Sequence, residues 1–269
     1  MKNAIITSTD SKFGDFLIKN WLRSLKENVS LKNTEVVILD YGLKKHQKKK
    51  LQTEKVVVKK CKRDANVNNI RYRDMADFLK KNKYDQVLSI DGGDIIFQKD
   101  ISSVFLKNKT DIRIVCEGIK VVFWKFYFFH KSCFSKNHGK KIKEIINSKK
   151  IINSGVIFGP HKKMEKLFYE CFHMINDKTM WGRDQLAINY LLYRDGFKEI
   201  SKIYNFLPWS FKDEFFIKDR VFYLNDKIIP IFHNAGRFDF LRPVENFGYK
   251  QKHSRKKKMY HLLKPFVKI

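Results

Sequence analysis

Strands alternate with helices through the first part of this chain, and that order restricts the fold more than any other feature. Apolar runs at 3–7, 35–39, 55–58 and 86–90 predict strands. Stripes with helical spacing at 15–26, 44–51 and 71–81 predict helices between them. Because helical crossovers join parallel strands, the sequence predicts an α/β fold with a mostly parallel central sheet flanked by helices on both faces.

The rest of the chain has a looser pattern and a distinct C-terminal end. We expect further strands at 112–116, 121–129, 151–159 and 228–232, and helices at 100–106, 140–146, 161–174 and 183–193. Residues 1–249 are predicted to form one domain. The tail, 250–269, has eight Lys or Arg and no acid, interleaved with aromatic and aliphatic residues. This pattern is typical of an interfacial membrane anchor, although a solvated tail or a helix packed on the domain has the same composition.

The composition indicates an anionic partner. The formal net charge is +28, and 43% of the residues are hydrophobic, which is enough for a proper core. An AT-rich genome would also enrich Lys, so base composition alone could account for part of this charge. The four cysteines have no zinc-like or CxxC spacing, which favours a reduced, cytoplasmic setting. No apolar stretch is long enough to span a bilayer.

The turn after the strand at 86–90 carries the clearest chemical signal. Its sequence is Asp91-Gly92-Gly93-Asp94. We expect the glycines to allow a tight turn and the two aspartates to lie side by side at the edge of the sheet, where open α/β folds bind ligands. Two close carboxylates repel unless a cation or proton separates them, which favours Mg²⁺ or Mn²⁺ shared with phosphates. The alternative is an ordinary acidic turn.

Further motifs follow this turn in a recognisable order. Tyr72-Arg73 lies ahead of the strand, and Asn153-Ser154-Gly155, Asp184-Gln185 and His233-Asn-Ala-Gly236 come after the turn. Together they resemble the nucleotide-sugar glycosyltransferases of the GT-A (Rossmann-like) fold, and most closely glycosyltransferase family 8, the type of glycogenin and the lipopolysaccharide galactosyl- and glucosyltransferases. The family has Asp-x-Asp where this chain has a turn one residue longer.

The resemblance implies a role for each matching position. It implies that Asp91, Asp94 and His233 hold Mn²⁺ (or Mg²⁺), and that Asp184 and Gln185 lie near the anomeric carbon as catalytic residues. The donor-binding residues that it implies are Thr7, Asp10, Phe13, Arg73, Asn153, Ser154, Gly155, Gly236 and Arg237.

Each motif also has a purely structural interpretation. His233 could be a buried histidine at the end of a strand, bonded to backbone. Asn153-Ser154-Gly155 could form a β-bulge, and Asp184 is a common residue type for the first turn of a helix. The basic region 44–63 is most simply a solvated face, although it could also meet anionic lipid.

We expect a cytoplasmic enzyme associated with the inner face of the membrane. It would move a hexose, with retention, from a UDP-linked or other nucleotide diphosphate sugar to a cell-surface glycan or glycolipid. One alternative is a nucleic-acid-binding or nucleotidyl-transferring protein, but the chain has no P-loop, helix-turn-helix or zinc motif, so no nucleic-acid partner is expected. The other alternative is a noncatalytic sugar-binding protein of the same fold.

Overall fold

A seven-stranded sheet forms the centre of the protein. The computed structural model describes residues 1–120, 134–208, 210–211, 215–219 and 221–235. The strands are β1 (Asn3–Thr9), β2 (Thr34–Asp40), β3 (Val57–Lys60), β4 (Gln86–Ile90), β5 (Ile95–Phe97), β6 (Arg113–Lys120), β7 (Lys150–Pro160), β8 (Lys198–Glu199), β9 (Phe215–Lys218), β10 (Val221–Leu224), β11 (Lys227–Ile228) and β12 (Ile231–His233).

The large sheet has the order β3-β2-β1-β4-β7-β6-β8. Strands β1, β2, β3 and β4 pair in parallel, as do β6 and β8, whereas β7 runs antiparallel to both of its neighbours. The mostly parallel sheet predicted from the alternation of elements is therefore confirmed.

Helices cover both faces of this sheet. They are Gly14–Phe16, Leu17–Leu22 (π-helical), Arg23–Asn28, Lys45–Gln52, Val67–Lys81, Ser102–Leu106, Lys136–Ile146, His161–Met174 and Arg183–Asp195, with a 3₁₀ turn at Lys202–Asn205. Successive side chains of a strand point to opposite faces. In β1, Ala4 and Ile6 join the core under the helices Val67–Lys81 and His161–Met174, and Ile5 joins the core under the helical segment 14–28.

Two features of the topology bring distant residues to the carboxyl edge of β1 and β4. The antiparallel strand β7 continues past the end of β4, where the backbone N–H of Asp91 donates to the carbonyl of Gly155 at 2.8 Å. The short strand β12 pairs with β5 and places His233 opposite Ile95. One edge of the sheet thereby gathers residues from four separate parts of the chain.

Several boundaries differ from the sequence expectations. The helix expected at 71–81 begins at Val67, because Asn66 caps it by accepting from the N–H of Asn68 at 3.1 Å. The strand expected at 228–232 is replaced by β11, a short break and β12. The antiparallel strands β9 and β10 and the short strand β5 were not predicted.

Two predicted segments lie outside the described residues, namely the strand at 121–129 and the basic tail 250–269. Within the described ranges, no helix combines the length and the apolar character needed to cross a membrane.

Candidate metal and ligand site

The turn after β4 packs closely because Gly92 touches β1 and Gly93 touches Phe13. Neither Gly92 nor Gly93 has a positive φ angle, so the expectation that the turn needs glycine for its backbone conformation was wrong. A Cβ atom at Gly92 would instead lie 2.6 Å from the Oγ1 atom of Thr7 and 3.2 Å from the carbonyl oxygen of Ser8. The glycines thus permit close packing, and Thr7 lies fully buried beneath the turn.

The turn and β12 bring three potential metal ligands together. One side-chain atom from each of Asp91, Asp94 and His233 lies within 4.8 Å of the others. The Nε2 atom of His233 is 3.8 Å from Oδ2 of Asp91 and 3.5 Å from Oδ1 of Asp94. This nitrogen is buried and has no hydrogen-bond partner among the described residues. Two carboxylates and an imidazole nitrogen form a donor set that suits Mn²⁺, so these residues could hold a divalent metal ion.

A chain of amides sets the orientation of this histidine. A backbone N–H can only donate, so the atom of Asn153 that accepts from Gly155 at 2.9 Å is the side-chain oxygen. The same oxygen accepts from Nδ2 of Asn205 at 3.1 Å, and Asn205 therefore turns its own oxygen toward His233. Nδ1 of His233 lies 2.8 Å from that oxygen and must carry the proton. Nε2 consequently has its lone pair directed away from the amides and toward the carboxylates.

The hydrogen bonds of Asn153 engage both the oxygen and the nitrogen of its side-chain amide. Besides its two bonds as acceptor, the amide donates from Nδ2 to Oε1 of Glu117 at 2.9 Å. Glu117 is only 2% exposed and also accepts from the hydroxyl of Ser210 at 3.4 Å. Burial raises the pKa of the Glu117 carboxyl, against the effect of these two bonds. Asn153 thus lies at the predicted site, but its side chain supports the histidine.

Gly155 allows the histidine and the turn to meet. A Cβ atom at this position would lie 2.9 Å from Oδ2 of Asp91 and closer still to the ring of His233. Ser154 is almost fully buried and lines the cavity onto which this site opens. The expected cluster Asn153-Ser154-Gly155 therefore lies beside the three potential metal ligands, and Gly155 directly contacts Asp91 and His233.

A buried arginine joins Asp91 to the second acidic group, Asp184. Arg71 donates from Nη1 to Oδ1 of Asp91 and from Nη2 to Oδ2 of Asp184 at 3.2 Å. Burial raises the pKa of the Asp184 carboxyl to about 6, and the charge of Arg71 opposes that rise. Arg73, which the resemblance implies as a donor-binding residue, instead pairs with Asp64 and Asp74 at 2.9 and 3.1 Å and does not line the cavity.

Helical periodicity in the sequence distinguishes Arg71, on the buried face of the helix, from Arg73, on the solvent face. Met75 and Phe78 follow Arg71 at spacings of four and seven residues, so Arg71 lies on the apolar face of its helix. Arg73 is followed at the same spacings by Asp77 and Lys80, which mark the solvent face.

The loop before Asp184 is fixed by a residue that sequence reasoning missed. Asn69 accepts from the backbone N–H of Asp184 at 3.1 Å and donates to the carbonyls of Lys178 and Met180 at 2.9 and 2.7 Å. No motif marks Asn69, because its partners are more than a hundred residues away along the chain.

The site opens into a cavity of about 360 Å³. Asp184 and Gln185 line it together with the three potential metal ligands, and Trp181 stands at its surface with 63% exposure. Asp10 and Phe13 form part of another wall. Asp10 accepts from the backbone N–H of Phe13 at 3.3 Å and pairs with Arg63 at 3.1 Å, so it shapes this loop. Gly236 and Arg237 lie outside the described residues.

Comparison with known proteins adds no assignment. The chain matches no described protein family and no curated protein sequence. Any functional conclusion must therefore be argued from the geometry of this cavity.

Proposed function

We propose that this protein is a metal-dependent glycosyltransferase of the GT-A type. It transfers a hexose from a nucleoside diphosphate sugar, UDP-linked in our proposal, to a glycan or glycolipid at the membrane. The observation that carries the proposal is the group Asp91, Asp94 and His233 beside the Arg71–Asp184 pair in one cavity.

The ligand set of the cavity supports a bound cation. Asp91, Asp94 and His233 bring two carboxylates and an imidazole nitrogen within 4.8 Å of one another, beside Arg71. A divalent ion with oxygen and nitrogen ligands would separate the two close carboxylates of the turn. Mn²⁺ bound there would act as a Lewis acid for the leaving diphosphate.

The residues themselves divide the remaining work. One carboxylate oxygen of Asp91 accepts from Arg71, and the other faces Nε2 of His233. Arg71 therefore fixes the rotamer of Asp91. Asp184 is fixed by Arg71 and by the backbone contact to Asn69. With Gln185, it offers hydrogen-bonding groups where the sugar of the donor would lie, and such groups discriminate strongly between hydroxyl patterns.

The engagement of the acids supports a retaining reaction. Besides the three carboxylates already named, the described lining residues include the acids Asp10 and Glu117. Asp10 is paired with Arg63, and Glu117 is bonded to Asn153 and Ser210. Among the described lining residues, no carboxylate is left in position to serve as the general base that inversion requires.

Donor binding and hydrolysis test the proposal. Thermal stability should rise with UDP-hexoses only when Mn²⁺ is present, because a ligand that binds the folded state stabilises it. Asp94→Asn should abolish both this rise and Mn²⁺-dependent donor hydrolysis. Asp77→Asn is the matched control, because Asp77 is exposed and does not line the cavity.

Other outcomes would support other functions. Metal-dependent binding of nucleotide sugars without any hydrolysis or transfer would favour a noncatalytic sugar-binding protein. Tight binding of RNA or DNA that is blocked by Asp94→Asn would favour nucleotidyl chemistry. Donor hydrolysis unchanged by EDTA would contradict the metal assignment.

A further inference from the structure

We propose that one side of the protein, separate from the cavity, binds an anionic phospholipid surface. We call it the basic face, and it consists of exposed lysines of the helix Lys45–Gln52, of strand β3 and of their flanking residues. These lysines are Lys44, Lys45, Lys49, Lys50, Lys55, Lys60 and Lys62. The proposal is independent of the transferase reaction, because the binding that it predicts needs neither a metal ion nor a donor.

Among the described residues, positive charge is concentrated in the stretch that forms this face. Residues 44–63 include ten Lys or Arg and one acid, Glu54. Half of this stretch is therefore cationic, whereas the whole chain has 56 Lys or Arg in 269 residues. A compositional bias of the genome would raise the lysine content everywhere, so it does not explain this concentration.

Within the described part of the chain, the lysines of the basic face also lack the acidic partners that other lysines have. The single acid, Glu54, is paired with Lys26 from another helix. On the helix His161–Met174, by contrast, Lys162, Lys163 and Lys166 each lie within 4.0 Å of a carboxylate. No carboxylate of the described residues forms an ion pair with any of the seven lysines of the basic face. Their charge is therefore available to an external anion.

Protection of the sheet edge accounts for only part of this pattern. Strand β3 is the last strand of the large sheet, and lysines on an edge strand prevent pairing with other chains. That role fits Lys60. It does not extend to Lys45, Lys49 and Lys50, which lie on a helix whose backbone is already hydrogen-bonded.

The residue types favour lipid over nucleic acid. Nine of the ten cations at 44–63 are lysines, and the stretch contains no aromatic residue. Nucleic-acid sites use arginine for bidentate phosphate and base contacts, and aromatic rings for stacking. A lysine-rich surface without these residue types suits a layer of phospholipid headgroups.

The basic face is joined to the wall of the cavity. Gln47, on the buried side of the helix Lys45–Gln52, donates to the carbonyl of Ser11 and to Asp15, both at 3.2 Å. The loop held in this way carries Asp10 and Phe13, which line the cavity. A protein docked through the basic face would therefore keep this wall close to the bilayer, where a lipid-linked acceptor lies.

Vesicle binding of the full chain tests the proposal. The face variant is Lys45→Gln/Lys49→Gln/Lys60→Gln, and the matched control is Lys162→Gln/Lys163→Gln/Lys166→Gln, which changes the net charge equally. Each basic residue near an anionic surface contributes about fivefold in partitioning, so the face variant should bind phosphatidylglycerol vesicles about a hundredfold more weakly. The control should stay within about threefold of the unchanged protein.

The outcomes separate this proposal from its competitors. Equal losses of vesicle binding in the face variant and the control variant would overturn it, since binding would then depend only on the total charge of the protein. An equal loss of binding to an RNA oligomer would also overturn it, since the face would then bind any polyanion. If the face variant melts at a lower temperature, Lys44→Gln/Lys50→Gln/Lys62→Gln replaces it under the same criteria. Failure of vesicle binding leaves the donor experiments unaffected.

Discussion

Asn205 accepts a hydrogen bond from Nδ1 of His233 at 2.8 Å, and this contact decides which ring nitrogen faces the two aspartates. The backbone N–H of Gly155 fixes the orientation of the Asn153 amide, and Asn153 in turn fixes the orientation of the Asn205 amide and the direction of this bond. A metal-binding histidine commonly has its second nitrogen fixed by such a partner, which orients the ring and raises its basicity.

Removal of the Asn205 amide should weaken metal binding while leaving the ligands in place. For Asn205→Ala, we expect Mn²⁺ affinity to fall about tenfold to a hundredfold, because Nδ1 of His233 loses its acceptor. Electron paramagnetic resonance of free Mn²⁺ would measure this directly. Asn137→Ala, on the exposed side of the helix Lys136–Ile146, is the control and should have no effect. Unchanged affinity in both variants would show that the amide chain does not position the histidine.

Substitution of Gly155 should disturb the same ligands by crowding. For Gly155→Ala, we expect loss of Mn²⁺ binding and a decrease of about 1–3 kcal/mol in the free energy of unfolding, because the new methyl group would meet Asp91 and His233. Gly139→Ala is the control: a Cβ there has no atom within 4 Å, and the residue is helical. It should raise stability by about 0.5–1 kcal/mol in urea unfolding. Equal effects at the two glycines would contradict the close contact.

Arg71 and Arg73 should respond very differently to the same substitution. Arg71→Lys keeps the positive charge but cannot bridge Asp91 and Asp184 in the same geometry, so one buried carboxylate loses its hydrogen bond and stability should fall by about 1–3 kcal/mol. Arg73→Lys changes a partly exposed pair, and we expect less than about 1 kcal/mol. Donor hydrolysis, measured per folded molecule, should fall for the first variant alone. A larger loss for Arg73→Lys would restore the assignment made from the sequence.

His161 should make the protein sensitive to mild acid. Burial lowers the pKa of its imidazole, and this effect outweighs the opposing one of Glu165, whose carboxylate lies 3.4 Å from Nε2. The unfolded chain therefore takes up this proton at a higher pH than the folded chain, so stability falls as the pH drops below the unfolded value of about 6.5. His161→Phe should reduce the decrease in unfolding free energy between pH 7 and pH 5. His46→Gln, at an exposed position, should leave that decrease unchanged.

The sequence predicted the parts of this site that depend on local pattern. The strand β4 and its aspartates were evident, because an apolar run ends abruptly in charged residues. His233 was indicated by resemblance alone, and its placement depends on β5, a strand of three residues that is too short to show periodicity.

Asn205 and Glu117 could not have been found in this way. Their partners are 28 and 36 residues distant, and only the folded sheet brings them together. Arg71 differs from these two, since helical spacing alone separates it from Arg73.

Because β7 runs antiparallel through the sheet, the cavity wall that it forms is expected to be stiffer than the wall formed by the loop after β1. One wall belongs to β7, which pairs with β4 from residue 156 onward and with β6 on both sides of residues 153–155. The opposite wall, at Asp10 and Phe13, is held by side-chain contacts from Arg63 and Gln47. The amide of Gly155 should thus exchange its hydrogen far more slowly than that of Phe13. Entry of a ligand would then be accommodated by displacement of the loop, while the strand serves as a fixed reference for the reacting atoms.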